Sequence, residues 1–468
     1  MTKNETSPKH ADAIPGNGVR RGVPREGTGS LSARQSLLVG VTLFSMFFGA
    51  GNLILPPLLG LRAGTDVAPA MAGFLVAGIG LPVLGIVAVA LSGTIRQLAD
   101  RVHPLFSKVF VAAVYLAIGP CLAIPRTSST SFEMLVPLLP QGVDVGAARV
   151  AFSVAFFVVA YALALRPGQL TRLLGKVTGP ALLALIVVVT GASLVAPTGG
   201  AATAQAPYDQ VPLAQGFLTG YQTMDLLASL TFGIVIAENI RALGVTDDAG
   251  LTREISKAGL LMAVLMGLIY CGFAFVGVTM GQAMPAATNG AEVLTASATA
   301  HFGLAGTVVV AAIFLLACLN VCVGLVSCCG TYFAEQIPAA SYRWVALAFA
   351  VFSGVVSNFG LDAILAFSVP LLSALYPMAI VLVAMGLARR ALAGRDAVWP
   401  CVVALTGAVS VCEAVRDAVW PGVWLPIDAL PLAGLGLGWV VPALVGLLVG
   451  LALSAARACG ASGRDGRA

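Results

Sequence analysis

The sequence predicts an all-α polytopic membrane protein of about twelve transmembrane helices, arranged as a five-plus-five inverted repeat with discontinuous helices 1 and 6, plus two additional helices. Three observations carry this expectation. Of the 468 residues 58% are hydrophobic and only 10% charged, with a mean hydropathy of +0.95, whereas a soluble chain carries roughly a quarter charged residues. Apolar runs of about 20 residues, long enough to cross ~30 Å of hydrocarbon as helices, recur from Leu37 onward. Two of these runs are interrupted by glycine and polar residues at corresponding places in two halves of the chain. The composition excludes a soluble multidomain enzyme, a nucleic-acid binder and a disordered chain. Gly and Pro, 53 and 26 residues, stay below low-complexity levels.

Residues 1–34 are polar, contain Lys3, Lys9, Arg20, Arg21, Arg25 and Arg34, and lack the apolar core of a secretory signal, so they read as a disordered cytoplasmic tail. A single transmembrane domain covers 35–457, and 458–468 is a second cytoplasmic tail. The spans fall near 37–60, 67–91, 106–136, 148–165, 177–196, 213–237, 258–281, 303–333, 343–357, 361–387, 396–414 and 433–455. Residues 37–196 form the first five-helix half, 213–387 the second, and 396–455 the added pair. With both termini inside, 22 of the 26 basic residues lie on the cytoplasmic side, leaving Arg62, Arg126, Arg149 and Arg416. Basic residues favour that side, which sets the orientation.

The nine cysteines give no disulfide framework, and the Cys318–Cys329 cluster lacks the histidine or paired spacing of a metal site, so it reads as apolar packing. His10, His103 and His301 are far apart in the chain, and no His-Glu-x-x-His motif occurs. Neither an enzyme nor a cofactor is expected. A channel would need a continuous polar lining, but the polar residues cluster where helices are interrupted.

Those interruptions are the informative feature. Span 1 carries Gly49, Gly51 and Asn52 at its middle and Pro56-Pro57 beyond. Glycine weakens a helix and proline removes a donor, and freed backbone groups are tolerated at membrane depth only beside a polar cavity. Span 6 reads Gly216 through Leu227, with glycines, hydroxyls, Gln222 and Asp225 in its first half. An ionised aspartate near the bilayer centre costs about 2.5–3.5 kcal/mol even on the gentler scale, so it should face protein, water or a cation. Broken helices leading two halves point to a transporter's central site. Exposed N–H groups at one break attract a carboxylate, and carbonyls at the other attract an ammonium group or metal cation. An α-amino-acid-like ligand with a cation follows.

Phe47-Phe48-Gly49-Ala50-Gly51-Asn52-Leu53-Ile54-Leu55-Pro56-Pro57 resembles the first-helix signature of the bacterial branched-chain amino acid carrier family. Gly119 to Thr127 resembles its third-span motif, Gly220 to Asp225 its sixth, and Ser368-Val369-Pro370 through Tyr376-Pro377 its tenth. The resemblance runs from about residue 35 to 455. It implies a leucine-transporter-like fold, a bacterial inner membrane, and sodium-coupled uptake of leucine, isoleucine and valine. The expected substrate-binding set is Phe47, Phe48, Gly49, Ala50, Gly51, Asn52, Tyr221, Thr223 and Asp225. Phe47, Phe48 and Tyr221 are the candidates to meet the aliphatic side chain. Asn52 resembles the ligand of the cation nearest the substrate carboxylate. Ser45 and Phe48 carbonyls resemble one wall of a second sodium site, and Val323, Val326 and Ser327 its other wall. Valine stands at 326 where many members have threonine, which removes a hard oxygen ligand. Arg126 and Glu133, seven residues apart, share a helix face and are expected to serve an extracellular gate, with Arg126 paired to Glu133 or Asp225. Substrate and cation would bind between spans 1, 3, 6 and 8, and rocking of one helix bundle against the rest would alternate access. A proton-coupled symporter with Asp225 as the titrating group is the alternative. The expected partners are the amino acid and the lipid bilayer, without nucleic acid; oligomeric state is not readable.

Overall fold

The computed structural model describes residues 30–165, 176, 178–337 and 339–465. Most of the expected N-terminal tail, and the basic loop carrying Arg166 and Arg172, lie outside the described residues. Among the described residues, eight helical stretches are long and apolar enough to cross a bilayer. The bent pair Pro212–Tyr221 and Asp225–Ala242 forms a ninth, and three shorter apolar helices, Ala33–Phe47, Gly179–Val195 and Tyr342–Ser357, complete twelve segments. No strand occurs among the described residues.

The first span comes in two pieces, α1 (Ala33–Phe47) and α2 (Ala50–Ala63). Ser32 starts α1 by accepting the Gln35 N–H at 3.3 Å, satisfying one of the orphan donors of a first turn. At Gly64, with φ of +46°, a conformation that suits glycine, the chain turns back into α3 (Val67–Leu75). A π-turn at 76–80 links α3 to α4 (Leu81–Ser92). After α5 (Ile95–Asp100), the third span also splits, into α6 (Pro104–Leu116) and α7 (Ala123–Glu133). The sequence reading had it continuous over 106–136. Gly119 leaves helical space (φ −93°, ψ −126°) and Pro120 follows, so a π-type turn at 117–121 interrupts it.

Spans 4 and 5 are α8 (Val145–Ala164) and α9 (Gly179–Val195). The sixth consists of α10 (Pro212–Tyr221) and α11 (Asp225–Ala242). There follow α12 (Asp248–Met280), a short α13 (Gly290–Phe302), α14 (Leu304–Gln336), α15 (Tyr342–Ser357), α16 (Leu361–Leu387), α17 (Val398–Val419) and α18 (Val440–Asp465). The last helix begins later than residue 433 because 3₁₀ turns occupy 426–429 and 433–435. It runs on through Asp465, so most of the expected C-terminal tail is helical.

Reciprocal glycines set the closest crossings. A Cβ at Gly60 would strike the Ala274 carbonyl of α12, and one at Gly277 the Pro57 carbonyl of α2. Gly73 and Gly216 do the same for α3 and α10. Small residues at a crossing let backbones touch, which is how helices gain packing where lipid supplies no hydrophobic drive. α2 and α10 are each thereby fixed to a neighbouring helix. α7 is buried although it reads Arg126-Thr-Ser-Ser-Thr-Ser131. Its hydroxyls at Thr127, Ser129 and Ser131 donate to carbonyls of their own helix at 2.6, 3.3 and 2.8 Å, which removes the burial cost. Val154, Val158, Val187, Leu268 and Leu448 are exposed on the periphery, an apolar belt suited to lipid contact.

Candidate functional site

The two broken spans meet in the middle of the bundle. α1 stops at Phe47, and Phe48 (φ −76°, ψ 94°) and Gly49 (φ −129°, ψ −158°) are extended before α2 starts at Ala50. The interruption is therefore at Phe48–Gly49; Gly51, Pro56 and Pro57 sit inside α2. The N–H groups of Ala50, Gly51 and Asn52 open that helix and have no intrahelical carbonyl to reach. Asn52 turns its Oδ1 back to accept the Gly49 N–H at 3.2 Å.

On the other span, α10 ends at Tyr221 and the chain bends by 45° before α11. Met224 carries it through left-handed space, φ 67°, a conformation non-glycine residues seldom hold without support. The turn is tied by Thr223 Oγ1, which donates to the Gly220 carbonyl at 2.8 Å. Asp225, the first residue of α11, is 3% exposed. Asn52 Nδ2 donates to Asp225 Oδ2 at 2.6 Å, and the Tyr270 hydroxyl of α12 donates to the same oxygen at 3.4 Å. Asn52 and Tyr270 also touch each other. One carboxylate oxygen is thus engaged from two helices.

A small cavity lies beside this junction, with a volume of about 30 Å³, bounded by Gly49 to Asn52, Thr223 to Asp225, Arg126 and Thr127. Its apolar side is formed by Phe47, Ala228, Phe232 and Leu325. That space suits a water-sized species or two; an aliphatic amino acid needs the walls to part. Arg126, 3% exposed, closes one end: its Nη1 donates to the Gln222 carbonyl at 3.0 Å, and its guanidinium lies so close over Gly51 that a Cβ there would collide with it. Phe47 and Phe232 close the other, their rings edge to face at 5.3 Å.

Of the nine expected substrate-binding residues, Phe47, Gly49, Ala50, Gly51, Asn52, Thr223 and Asp225 line this cavity. Phe48 does not: it packs into an aromatic cluster with Phe44, Tyr270 and Phe273. Tyr221 points away from the cavity and stacks on Tyr376 at 4.5 Å. For the second cation wall, Ser45, Val323, Val326 and Ser327 are buried, but α14 presents Val321 and Leu325 to the cavity. Ser327 faces the Tyr342 side of α14 instead. The pairing of Arg126 with Glu133 is corrected: Glu133 bonds Arg149 Nη2 at 3.5 Å, because the two side chains bridge the short 134–144 connection, whereas Arg126 turns inward. Sequence reasoning missed Ala228 and Phe232, although their spacing of three and seven residues from Asp225 places all three on one helix face. It also missed Tyr270, the sole tyrosine of the seventh span.

Two broken helices meeting at a small central cavity, within an all-helical bundle of apolar segments, define a membrane transporter of the leucine-transporter fold. Solved structures share this fold: MHP1, a nucleobase-cation-symport-1 family transporter with bromovinylhydantoin bound (TM-score 0.58, 13% identity, covering 89% of this chain and 91% of that one), and MhsT in complex with L-phenylalanine (TM-score 0.54, 17% identity, 91% and 99%). Residues 32–457 match the family model described as branched-chain amino acid transport protein. The chain is 40% identical over 431 residues to the branched-chain amino acid permease BraB of Bacillus subtilis, covering 91% of this chain and 96% of that protein. It is 40% identical over 416 residues to the branched-chain amino acid transport system 2 carrier protein of Pseudomonas aeruginosa (88% and 94%) and 35% identical over 437 residues to the permease BrnQ of Escherichia coli K12 (92% and 98%). The chain belongs to the branched-chain amino acid transport protein family. It is a multi-pass membrane transporter of small amino acid substrates and not an enzyme.

Proposed function

We propose that this chain imports leucine, isoleucine and valine across a bacterial inner membrane, termini in the cytoplasm, in an alternating-access cycle driven by sodium. The observation that carries the reading is the facing of Asn52 and Asp225 across two helix breaks at 2.6 Å. The substrate carboxylate meets the N–H groups opening α2, where the helix dipole favours an anion, with Arg126 alongside. The Asp225 carboxylate faces a cation beside the substrate. Phe47, Ala228, Phe232 and Leu325 meet the aliphatic side chain. One methylene in such a pocket discriminates by only about 1–3 kcal/mol, so acceptance of all three amino acids is natural, and the names of the relatives agree.

A second reading, proton coupling through Asp225, is favoured by one observation: α14 offers valine and leucine, not hydroxyls, to the cavity. Hard cations prefer several oxygen ligands, and a single buried carboxylate suits a proton equally well. Initial rates of labelled leucine uptake, with sodium and pH varied independently in proteoliposomes, separate the two. Uptake tracking external sodium at fixed pH supports sodium. Indifference to sodium, with loss in Asp225→Asn, supports protons. No uptake of any branched-chain amino acid would refute both.

A further inference from the structure

Spans 4 and 9, α8 and α15, enclose a groove of about 340 Å³ on the periphery of the bundle. Hydrogen bonds between the two helices close both of its ends. At one end Ser153 Oγ donates to the Gly354 carbonyl at 3.2 Å and lies 2.8 Å from Ser357 Oγ. At the other the Tyr161 hydroxyl donates to the Arg343 carbonyl at 3.2 Å, and the Tyr342 hydroxyl to the Ala164 carbonyl at 2.6 Å. Between these ties Phe157, Ala350 and Gly354 form the floor. Val154, Val158, Val351 and Val355 form two rims, 60%, 62%, 59% and 61% exposed, so the groove opens outward. Gly354 keeps the floor low, because a Cβ there would already touch the Phe157 ring at 3.4 Å.

The groove is charged at its ends alone, and unequally. Arg149 is the sole charged residue of α8 and Arg343 the sole one of α15, and they stand at opposite ends. Arg149 is neutralised by Glu133 at 3.5 Å and lies over the Phe132 ring. Arg343 is exposed and forms no ion pair among the described residues. It precedes Leu347 by one helical turn and so shares the groove face. Trp344 beside it is 70% exposed, an amphipathic ring of the kind that sits at headgroup level. From Leu347 to Asn358 the groove runs about 16 Å at 1.5 Å per residue, and one leaflet of a ~30 Å hydrocarbon core is about 15 Å deep.

An apolar slot one leaflet deep, with an unneutralised guanidinium at its mouth, complements a fatty acyl chain joined to a phosphate. We propose that this groove is a binding site for one anionic phospholipid, its phosphate on Arg343 and one acyl chain along Phe157, Ala350 and Gly354. A zwitterionic lipid offers the same chain without the net charge, so selection between the two falls to the arginine. In the orientation proposed above the Arg343 end faces the cytoplasmic leaflet, whose surface potential is negative. The bound chain would brace α15 against the third span. Ser353 of α15 donates to the Pro120 carbonyl at the break of that span at 3.3 Å, and Ser129 of α7, the helix of Arg126, donates to the Ser357 carbonyl at 2.8 Å. The site depends on neither the transported solute nor the coupling ion.

Native mass spectrometry of the full-length protein in detergent, titrated with dioleoyl phosphatidylglycerol or dioleoyl phosphatidylcholine, counts bound lipid. The wild type should retain one phosphatidylglycerol per chain and hold phosphatidylcholine, which has the same chains, about fivefold more weakly, the worth of one basic residue beside an anionic surface. Arg343→Gln, at an exposed position, should lower phosphatidylglycerol affinity by that factor and abolish the preference. Gly354→Leu, which fills the floor, should release both lipids with an unchanged elution profile; if it aggregates, Arg343→Gln decides alone. Equal retention of the two lipids, indifferent to Arg343→Gln, is ordinary boundary lipid and overturns the site. Phosphatidylglycerol held in full by a folded Gly354→Leu lies elsewhere and also overturns it. Disulfide cross-linking of two chains through Val355→Cys, absent in the wild type, would make the groove a contact between copies and overturn it likewise.

Discussion

Asp225 is held at the centre by donors from two other helices, and its neighbours decide how far substitutions there are felt. Removing one donor to a buried carboxylate costs about 1.5–3 kcal/mol, so Asn52→Ala should weaken leucine binding roughly ten- to hundredfold, read as a shifted dissociation constant with an unchanged elution profile. Gly51→Ala tests the seal. The added Cβ would collide with the Arg126 guanidinium and approach the Thr223 Cα at 3.2 Å, and overpacking of this kind costs about 1–3 kcal/mol. Transport should fall while Arg126→Lys, which cannot reproduce a planar fork, gives a similar defect; normal uptake by both would remove Arg126 from the gate. Asn52 and Asp225 were legible because an amide and a carboxylate inside apolar runs demand a partner. Tyr221 was read into the wrong cavity because it precedes the turn, and the left-handed step at Met224, which decides where side chains point, leaves no mark in residue type.

Among the elements, the breaks were legible where glycine met a polar residue and illegible where the motif looked continuous, as at Gly119-Pro120. The helix Gly290–Phe302 escaped notice because its alanines and threonines give no apolar run, and the pairing of Glu133 with Arg149 depends on how two spans lean together. The opposite end of α1 carries a latch that no sequence pattern announces. The Ser36 hydroxyl donates to Glu254 Oε2 at 3.0 Å and Lys257 Nζ lies 2.6 Å from Oε1, joining the start of α1 to α12. Ser36→Ala removes only the link to α1. It should favour opening on that face, seen as faster thiol labelling of a cysteine placed at Ala228, and an unchanged labelling rate would discount the latch. On the other face Asp428 anchors the 420–439 connection: the Leu425 N–H at 2.7 Å, with Arg416, holds its carboxyl below the usual carboxylate range. A depressed value stabilises above the ordinary pKa of about 3.9 and is lost only as pH falls through the lower folded value. Limited proteolysis of this connection should therefore be flat between about pH 5 and 7 and accelerate in Asp428→Asn across that whole window.

For the molecule as a whole, the two kinds of helix contact divide the labour of transport. Backbone-to-backbone glycine crossings bind α2 to α12 and α10 to α3, where no side chain is left to repack, so these pairs behave as rigid bodies. The unwound residues at 48–49 and 222–224 are where the chain can rotate, and they border the cavity that must enlarge beyond its 30 Å³. In the coupled cycle proposed above, rigid bodies joined at unwound hinges would convert the occupation of one small site into movement of whole helices, linking the gradient of one solute to another. The energetics give a direct check. A neutral zwitterion moving inward with one cation carries one charge, worth about 2.3 kcal/mol per 100 mV. At about 1.36 kcal/mol per decade this drives roughly fifty-fold accumulation with no chemical gradient of the cation at all. Proteoliposomes with equal sodium and equal pH on both sides, given an inside-negative potassium diffusion potential of about 100 mV, should concentrate labelled leucine to that order. Clamping the potential to zero should return the ratio to one. The sign of the dependence also separates coupled transport from simple facilitation. A carrier that moves the amino acid alone reaches equal concentrations at any voltage, whereas an inside-positive potential applied to a coupled carrier expels leucine already loaded.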